Sequence, residues 1–341
     1  MSNLKRYKLK LITVGPVFIG SGETYTPKEY IYMQDGSYYF PDMGKLYKKI
    51  TSLNSYAKRE FKNFLLGENR YRRKGKASAK LDELLNNLNL DVHPKEYGGY
   101  LVSANKYLDD PKNLNDIDAF IKNGLLEPYI PGSSLKGALR TIILNDNFVM
   151  SALNNNNIDL TKLRHNIRVS DSQPLSSNDL IMVQKYDYNR HKRRYNPLPL
   201  YREALKPGVE VSFYITCEGK LAQAIIASLE VAAKKWYQAY YKKFLGELSK
   251  SQKDNLITFR KDKQEVERYL YLGGGTGHLT KVKLPNDYRR PANKRIPMQG
   301  DGTYKLTKAP FTRSQYRKGI KPLNKDNIYE MGKCYFEIKE E

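Results

Sequence analysis

The chain has 341 residues, enough for two ordinary domains with a sizeable core, and its 59 lysines and arginines outnumber 36 aspartates and glutamates to give a net charge of +23. A surplus of that size sets up a field that gathers polyanions, so nucleic acid is the first partner to expect. No long uncharged apolar run offers a membrane span, residues 1–10 lack the apolar centre of a signal peptide, and Cys217 and Cys334 sit inside apolar, strand-like stretches. The expectation is a cytoplasmic protein, without a membrane partner, whose two thiols are buried and free.

Residues 7–14 alternate apolar and polar side chains and end at Gly15 and Pro16, as a strand entering a loop should. Residues 29–33 and 38–40 are strand-like and flank Asp35 and Gly36, a pair suited to a tight turn. From about residue 45 to 125 the composition turns lysine-rich and leucine-spaced, broken by the basic run 70–74, and this predicts a helical insertion. A helix is expected over 133–144, strands over 167–170 and 180–183, and loops over 154–157 and 190–194. A strand over 209–216, a core helix over 221–245 containing Trp236, and a last strand over 333–339 complete the pattern.

Strand, loop, helix and strands thus occur twice. The pattern predicts an α+β fold of two sandwiches, sheet on one face and helices on the other, because the hairpins are short and the helices do not alternate regularly with strands. The predicted boundary falls near residue 160, giving domains 1–160 and 161–341.

Three segments carry chemistry. Around Ser133, Ser134, Lys136, Gly137 and Arg140, a serine cap and small residues stand at a helix start, where free backbone N–H groups attract an anion. The helix dipole disfavours a cation in the first turn, so Lys136 suits a phosphate brought from outside, and Arg140 follows on the same face. An ordinary capped helix with a solvated lysine explains the same residues as well, except that Gly137 inside a helix costs about 1 kcal/mol, which close approach of another backbone would offset.

The second segment is Gly273, Gly274, Gly275, Thr276 and Gly277, with His278 and Lys281 after it, whose glycines allow several N–H groups to converge on one phosphate. It is no nucleotide-hydrolysis loop: the Walker spacing is absent, and His278 stands where a dinucleotide fingerprint needs its last glycine. The third is the loop holding Gly20, Ser21 and Gly22, which a plain strand connection explains equally well. Arg190, Arg193 and Arg194 are further candidates for base or target contacts, and the 28 tyrosines suit either base stacking or half-buried strand faces.

No catalytic or metal site is expected. His93, His165, His191 and His278 form no recognisable pair, and Asp35, Asp42 and Asp171 are no carboxylate cluster; Asp171 is read as bonding nearby backbone after a strand. The rival reading is an endoribonuclease that matures guide precursors, with His278 or an aspartate as the working group.

At residues 15–23, 129–140, 169–174, the run from Pro197 to Glu203, 270–277 and 329–336, the chain resembles the repeat-associated mysterious proteins (RAMPs) of CRISPR systems, and within them the fifth-subunit family of type III-A Csm effector complexes. The resemblance implies two ferredoxin-like, RNA-recognition-motif-like domains and a non-catalytic cap on the 3′ portion of a guide RNA. It implies as partners the backbone and small helical subunits of the complex, target RNA, and a trimming nuclease. Gly273 to Gly277 and the Lys136 helix carry over as RNA-contacting positions, no cofactor is implied, and no aspartate here matches the backbone subunit's target-cleaving residue.

Overall fold

The computed structural model describes residues 4–73, 78–92, 94–104, 108, 110–155, 163, 165–189, 194–242, 268–277, 280–282, 305–310 and 328–341. β1 (Leu4–Thr13) buries Tyr7, Leu9 and Leu11, alternate positions that put one face of a pleated strand on the core. β2 (Gly20–Tyr25) follows, then β3 (Ile31–Tyr32) and β4 (Ser37–Phe40), joined through Gly36 at φ +85°. α1 (Met43–Leu53) starts where Asp42 accepts from the backbone N–H groups of Gly44 and Lys45. α2 (Ser55–Leu66) is capped by Asn54 and closed by Gly67 in the left-handed conformation. α3 (Leu81–Asn87) and the single turn α4 (Pro94–Tyr97) end the helical part.

β5 (Tyr100–Ala104) and β6 (Ile117–Phe120) then correct the sequence reading: the stretch expected to be helical to about 125 returns to sheet. Both strands are short, and β6 buries Ile117, Ala119 and Phe120 in a run too brief for its period to separate strand from helix.

α5 (Gly132–Leu144) and α6 (Asn147–Asn155) are followed by β7 (Ile167–Val169), the long strands β8 (Leu180–Asn189) and β9 (Arg194–Leu205), and β10 (Glu210–Glu218). α7 (Lys220–Tyr240) buries Ile225, Ile226, Leu229, Ala232, Ala233, Trp236, Tyr237 and Tyr240, the three-and-four spacing of a core-facing helix. β11 (Tyr269–Tyr271), β12 (Lys305–Pro310), β13 (Ile328–Glu330) and β14 (Lys333–Glu340) complete the chain.

A five-stranded antiparallel sheet has the order β11-β14-β1-β10-β7. Taken as β1, α5, β7, β10, α7 and β14, this is one β-α-β-β-α-β frame with its last strand beside its first and its third between first and second, a ferredoxin-like arrangement. α5 and α7 pack on each other and against its strands.

Among the described residues the second sheet has nine strands, ordered β2-β6-β9-β8-β5-β4-β3, with β12 paired to β8 and β13 paired to β12. Every one of them lies in an excursion from the frame: β2 to β6 between β1 and α5, β8 and β9 between β7 and β10, β12 and β13 between β11 and β14.

The fold is α+β, as the sequence predicts. A boundary near residue 160 does not separate the sheets, because β1 hydrogen-bonds to both β10 and β14 and each sheet takes strands from both halves. The alternation of β1 shows that it pairs but not with which strand, and the reading of two successive units assumed neighbours in sequence. A single continuous core joins both sheets, while α1, α2 and α3 close a satellite core around Phe61, Phe64, Leu81 and Leu84.

Candidate nucleic-acid interface

The glycine segment after β11 and the loop after β1 lie against each other. The Gly274 N–H donates to the Phe18 carbonyl at 2.8 Å, and the Gly332 N–H donates to the Pro16 carbonyl at 2.7 Å. Gly273 has φ +81°, and a Cβ there would stand 2.0 Å from the Phe18 oxygen. At Gly332 a Cβ would stand 2.2 Å from Thr276 Cγ2. These glycines are required by the chain's own packing. Gly277, at φ +92°, differs: a Cβ there would meet nothing within 4 Å.

α5 begins at Gly132, one residue before the expected serine cap. Its cap comes from across the chain: the Gly132 N–H donates to Asp171 Oδ1 at 2.7 Å, and the Ile130 N–H donates to Ser172 Oγ at 2.9 Å. Asp171 does bond backbone, but that of Gly132, 39 residues away, and not the backbone near its own strand that the sequence suggested. Its carboxylate occupies the helix start where an external anion was expected, so Ser133 and Ser134 are first-turn residues and not caps. Gly132 itself is demanded by β7, since a Cβ would come within 2.4 Å of the Val169 oxygen.

Further along α5, half-buried Lys136 and exposed Arg140 flank an apolar pocket formed with Leu139, Ile143, Leu163, Ile167 and Ile226. Gly137 is exposed, and among the described residues nothing beyond its own helix backbone comes within 4 Å of the place of its missing side chain. Gly20, Ser21 and Gly22 lie on exposed β2, whose pairing with β6 is irregular between Gly20 and Thr24. Arg190, Arg193, His278, His93 and His191 fall outside the described residues, and Arg194 opens β9. Among the described residues no group of three or more His, Cys, Asp or Glu side chains could hold a metal ion, and no helix is long and apolar enough to cross a membrane.

Sequence reasoning missed the polar centre of β9. Glu203 is fully buried and accepts from the Phe120 N–H at 2.8 Å, from the Tyr100 hydroxyl at 2.7 Å and from Lys122 Nζ at 2.5 Å. The Lys122 ammonium also stands 4.4 Å from the Tyr100 ring centroid. Burial lowers the Lys122 pKa, the Glu203 ion pair opposes that shift, and burial drives the Tyr100 hydroxyl well above its ordinary value. This satisfied network ties β5, β6 and β9 together, and removing one partner of such a pair costs about 3–5 kcal/mol.

The neighbouring Arg202 alternates to the other face. Its Nε donates to Asp118 Oδ2 at 3.1 Å, its guanidinium carbon lies 4.9 Å from the Phe18 ring centroid, and a Cβ on Gly275 would stand 3.0 Å from its Nη1. An arginine–glutamate pair inside an apolar strand was the available signal, since charges in such a run need partners.

The match to known proteins is of full length. The family model of the RAMP superfamily matches residues 10–280. A protein from Streptococcus thermophilus named CRISPR system Cms protein Csm5 is 33% identical over 99% of both chains. The chain belongs to the Csm5 family of the RAMP superfamily. A protein of the same name from Mycobacterium tuberculosis is 29% identical over 98% of both chains.

Among solved structures, a chain of the cryo-EM Csm–crRNA–target RNA ternary complex of a type III-A CRISPR–Cas system superposes with a TM-score of 0.65 at 18% identity, over 97% of this chain and all of that one. The crystal structure of T. onnurineus Csm5 gives a TM-score of 0.57 at 20% identity, over 78% of this chain and 90% of that one. Both share the fold.

Proposed function

We propose that this chain is a non-catalytic guide-RNA-binding subunit of a cytoplasmic type III-A Csm effector complex, seated at the 3′ portion of the guide as a cap. The observation that carries the reading is full-length membership of the Csm5 family, whose fold recurs in a chain assembled with crRNA and target RNA. The charge of +23 supplies the attraction to RNA, and open surface at Gly137, Arg140 and Gly277 supplies places for a backbone to approach. A subunit that must accept any guide holds backbone and shape and leaves sequence to base pairing.

In this role the chain packs against the last backbone subunit and the small helical subunits, stops further assembly, and sets guide length by admitting a trimming nuclease. Gly20, Ser21, Gly22, Ser133, Ser134, Lys136, Gly137, Arg140, Arg190, Arg193, Arg194, the Gly273–Gly277 segment, His278 and Lys281 remain its candidate contacts to guide or target. Complexes reconstituted without this chain are expected to carry guides of altered length or lowered yield on denaturing gels. Guides of normal length and yield in its absence would end the capping reading, and cleavage of labelled precursor by the purified chain would end the non-catalytic one.

A further inference from the structure

The five-stranded sheet buries one face and leaves the other open. Tyr7, Leu9 and Leu11 of β1 and Phe213 and Ile215 of β10 are buried, so the residues that alternate with them, Arg6, Lys8 and Lys10 on β1 and Ser212, Tyr214 and Thr216 on β10, lie on the outer face. The register sets Lys339, Lys8 and Tyr214 side by side across β14, β1 and β10, with neighbouring strands about 5 Å apart. All three residues are exposed.

Like charges directly opposite each other on adjacent strands destabilise a sheet. Among the described residues neither Lys8 nor Lys339 has an ion-pair partner, because the carboxylates of this face are engaged elsewhere. Glu210 pairs with Lys10, Glu218 with Arg168 at 3.1 Å and Glu341 with Arg6 at 3.2 Å, while Glu337 accepts from the Tyr335 hydroxyl at 2.8 Å. Beside the two lysines, the Arg6 guanidinium carbon lies over the Tyr214 ring, 3.9 Å from its centroid, and the arginine side chain is still 55% exposed. The middle of the face therefore offers two uncompensated ammonium groups and a flat guanidinium supported from below by an aromatic ring.

We propose that this open sheet face is an RNA-docking surface on which one unpaired base of the guide stacks on the Arg6 guanidinium, backed by Tyr214, while the flanking phosphates are held by Lys8 and Lys339. Unstacked bases lie on aromatic and guanidinium planes, and phosphate oxygens would supply the negative charge that the opposed lysines lack. An acidic protein surface would answer the lysines but leave the guanidinium plane unused. A guide–target duplex has no free base to stack, so the occupant is an unpaired stretch of guide. The surface rests on the guide-binding reading and adds to it a place separate from the glycine segment after β11 and from α5, which packs against the sheet.

The test is photo-crosslinking in a complex reconstituted with the full-length chain and a guide carrying thiouridine through its 3′ portion, with the adducts mapped by mass spectrometry. An adduct on the Tyr214 strand is expected. Lys8→Ala combined with Lys339→Ala, and separately Arg6→Ala, should each lower its yield at least about fivefold, the lower end of what stacking one base contributes, and leave adducts elsewhere on the chain unchanged. All three residues are exposed, and either variant suffices if the other fails to assemble. No guide adduct anywhere on the chain would sink the guide-binding reading and this surface with it. Adducts elsewhere on the chain but none on the Tyr214 strand, or an adduct there that neither variant lowers, would sink the surface alone. An adduct here from a thiouridine-substituted target and none from the guide would overturn the proposal, as would carbodiimide crosslinks from Lys8 and Lys339 to another subunit's carboxylates without any RNA adduct on this face.

Discussion

At Gly273 the space a side chain would take is filled by the Phe18 carbonyl, 2.0 Å from where a Cβ would stand; at Gly137, among the described residues, nothing beyond its own helix backbone lies within 4 Å. Both glycines belong to segments that read as phosphate grips, and both are costly unless something offsets the freedom they lose on folding. The first is accounted for by the protein packing on itself. The second is not, because α5 would be more stable with alanine at an exposed interior position. A glycine-rich run is therefore weak testimony for a ligand until the space around each member is known, and Gly137 and Gly277 carry more of that testimony than Gly273 or Gly332.

The strongest way to break this comparison is Gly273→Ala. Its φ of +81° strains an L-residue, and the new methyl collides with a backbone oxygen that itself accepts the Gly274 N–H. A loss of about 2–5 kcal/mol in stability is expected by chemical denaturation, with weaker RNA binding only as a consequence of unfolding. Full stability with lost binding would instead make Gly273 a ligand position and erase the contrast.

Next in size comes the double substitution Lys136→Ala, Arg140→Ala. Asp171 already bonds the start of α5, so any RNA contact here belongs to these side chains one turn apart and not to the helix terminus. The slope of log K against log salt is expected to fall by about 1.4, two single-strand phosphate contacts, with stability little changed. An unchanged slope would confine RNA to other surfaces.

How far the sequence announced all this depends on the range of each interaction. The alternation of β1, the apolar seam of α7 and the Asp35–Gly36 turn were legible because each is settled by local chemistry, whereas Asp171 bonds the start of α5 across 39 residues. The partnership of β1 with β10 and β14 was not, since some two hundred residues separate β1 from β10 and strand periodicity carries no address. The candidate site shows the same divide. Gly273 and Lys136 stood out as motif members, but the Phe18 carbonyl that explains the one, and the Asp118–Arg202 pair beside it, come together only through tertiary structure. Arg190, Arg193 and His278 lie outside the described residues, so the geometry neither adds to nor subtracts from them.

Gly137→Ala is the smallest expected effect and the sharpest discriminator. Its backbone is helical and its surroundings are open, so alanine should raise stability by about 0.5–1 kcal/mol, a Tm increase readable by calorimetry. If the glycine is there to let an RNA backbone come close, the same variant should bind the labelled oligonucleotide several-fold more weakly while becoming more stable. Those opposite signs cannot arise from loss of fold, and they separate a surface kept bare for a partner from one where glycine merely persists. A variant that is more stable and binds equally well would remove Gly137 from the interface and leave Arg140 and the Gly277 turn as its open positions.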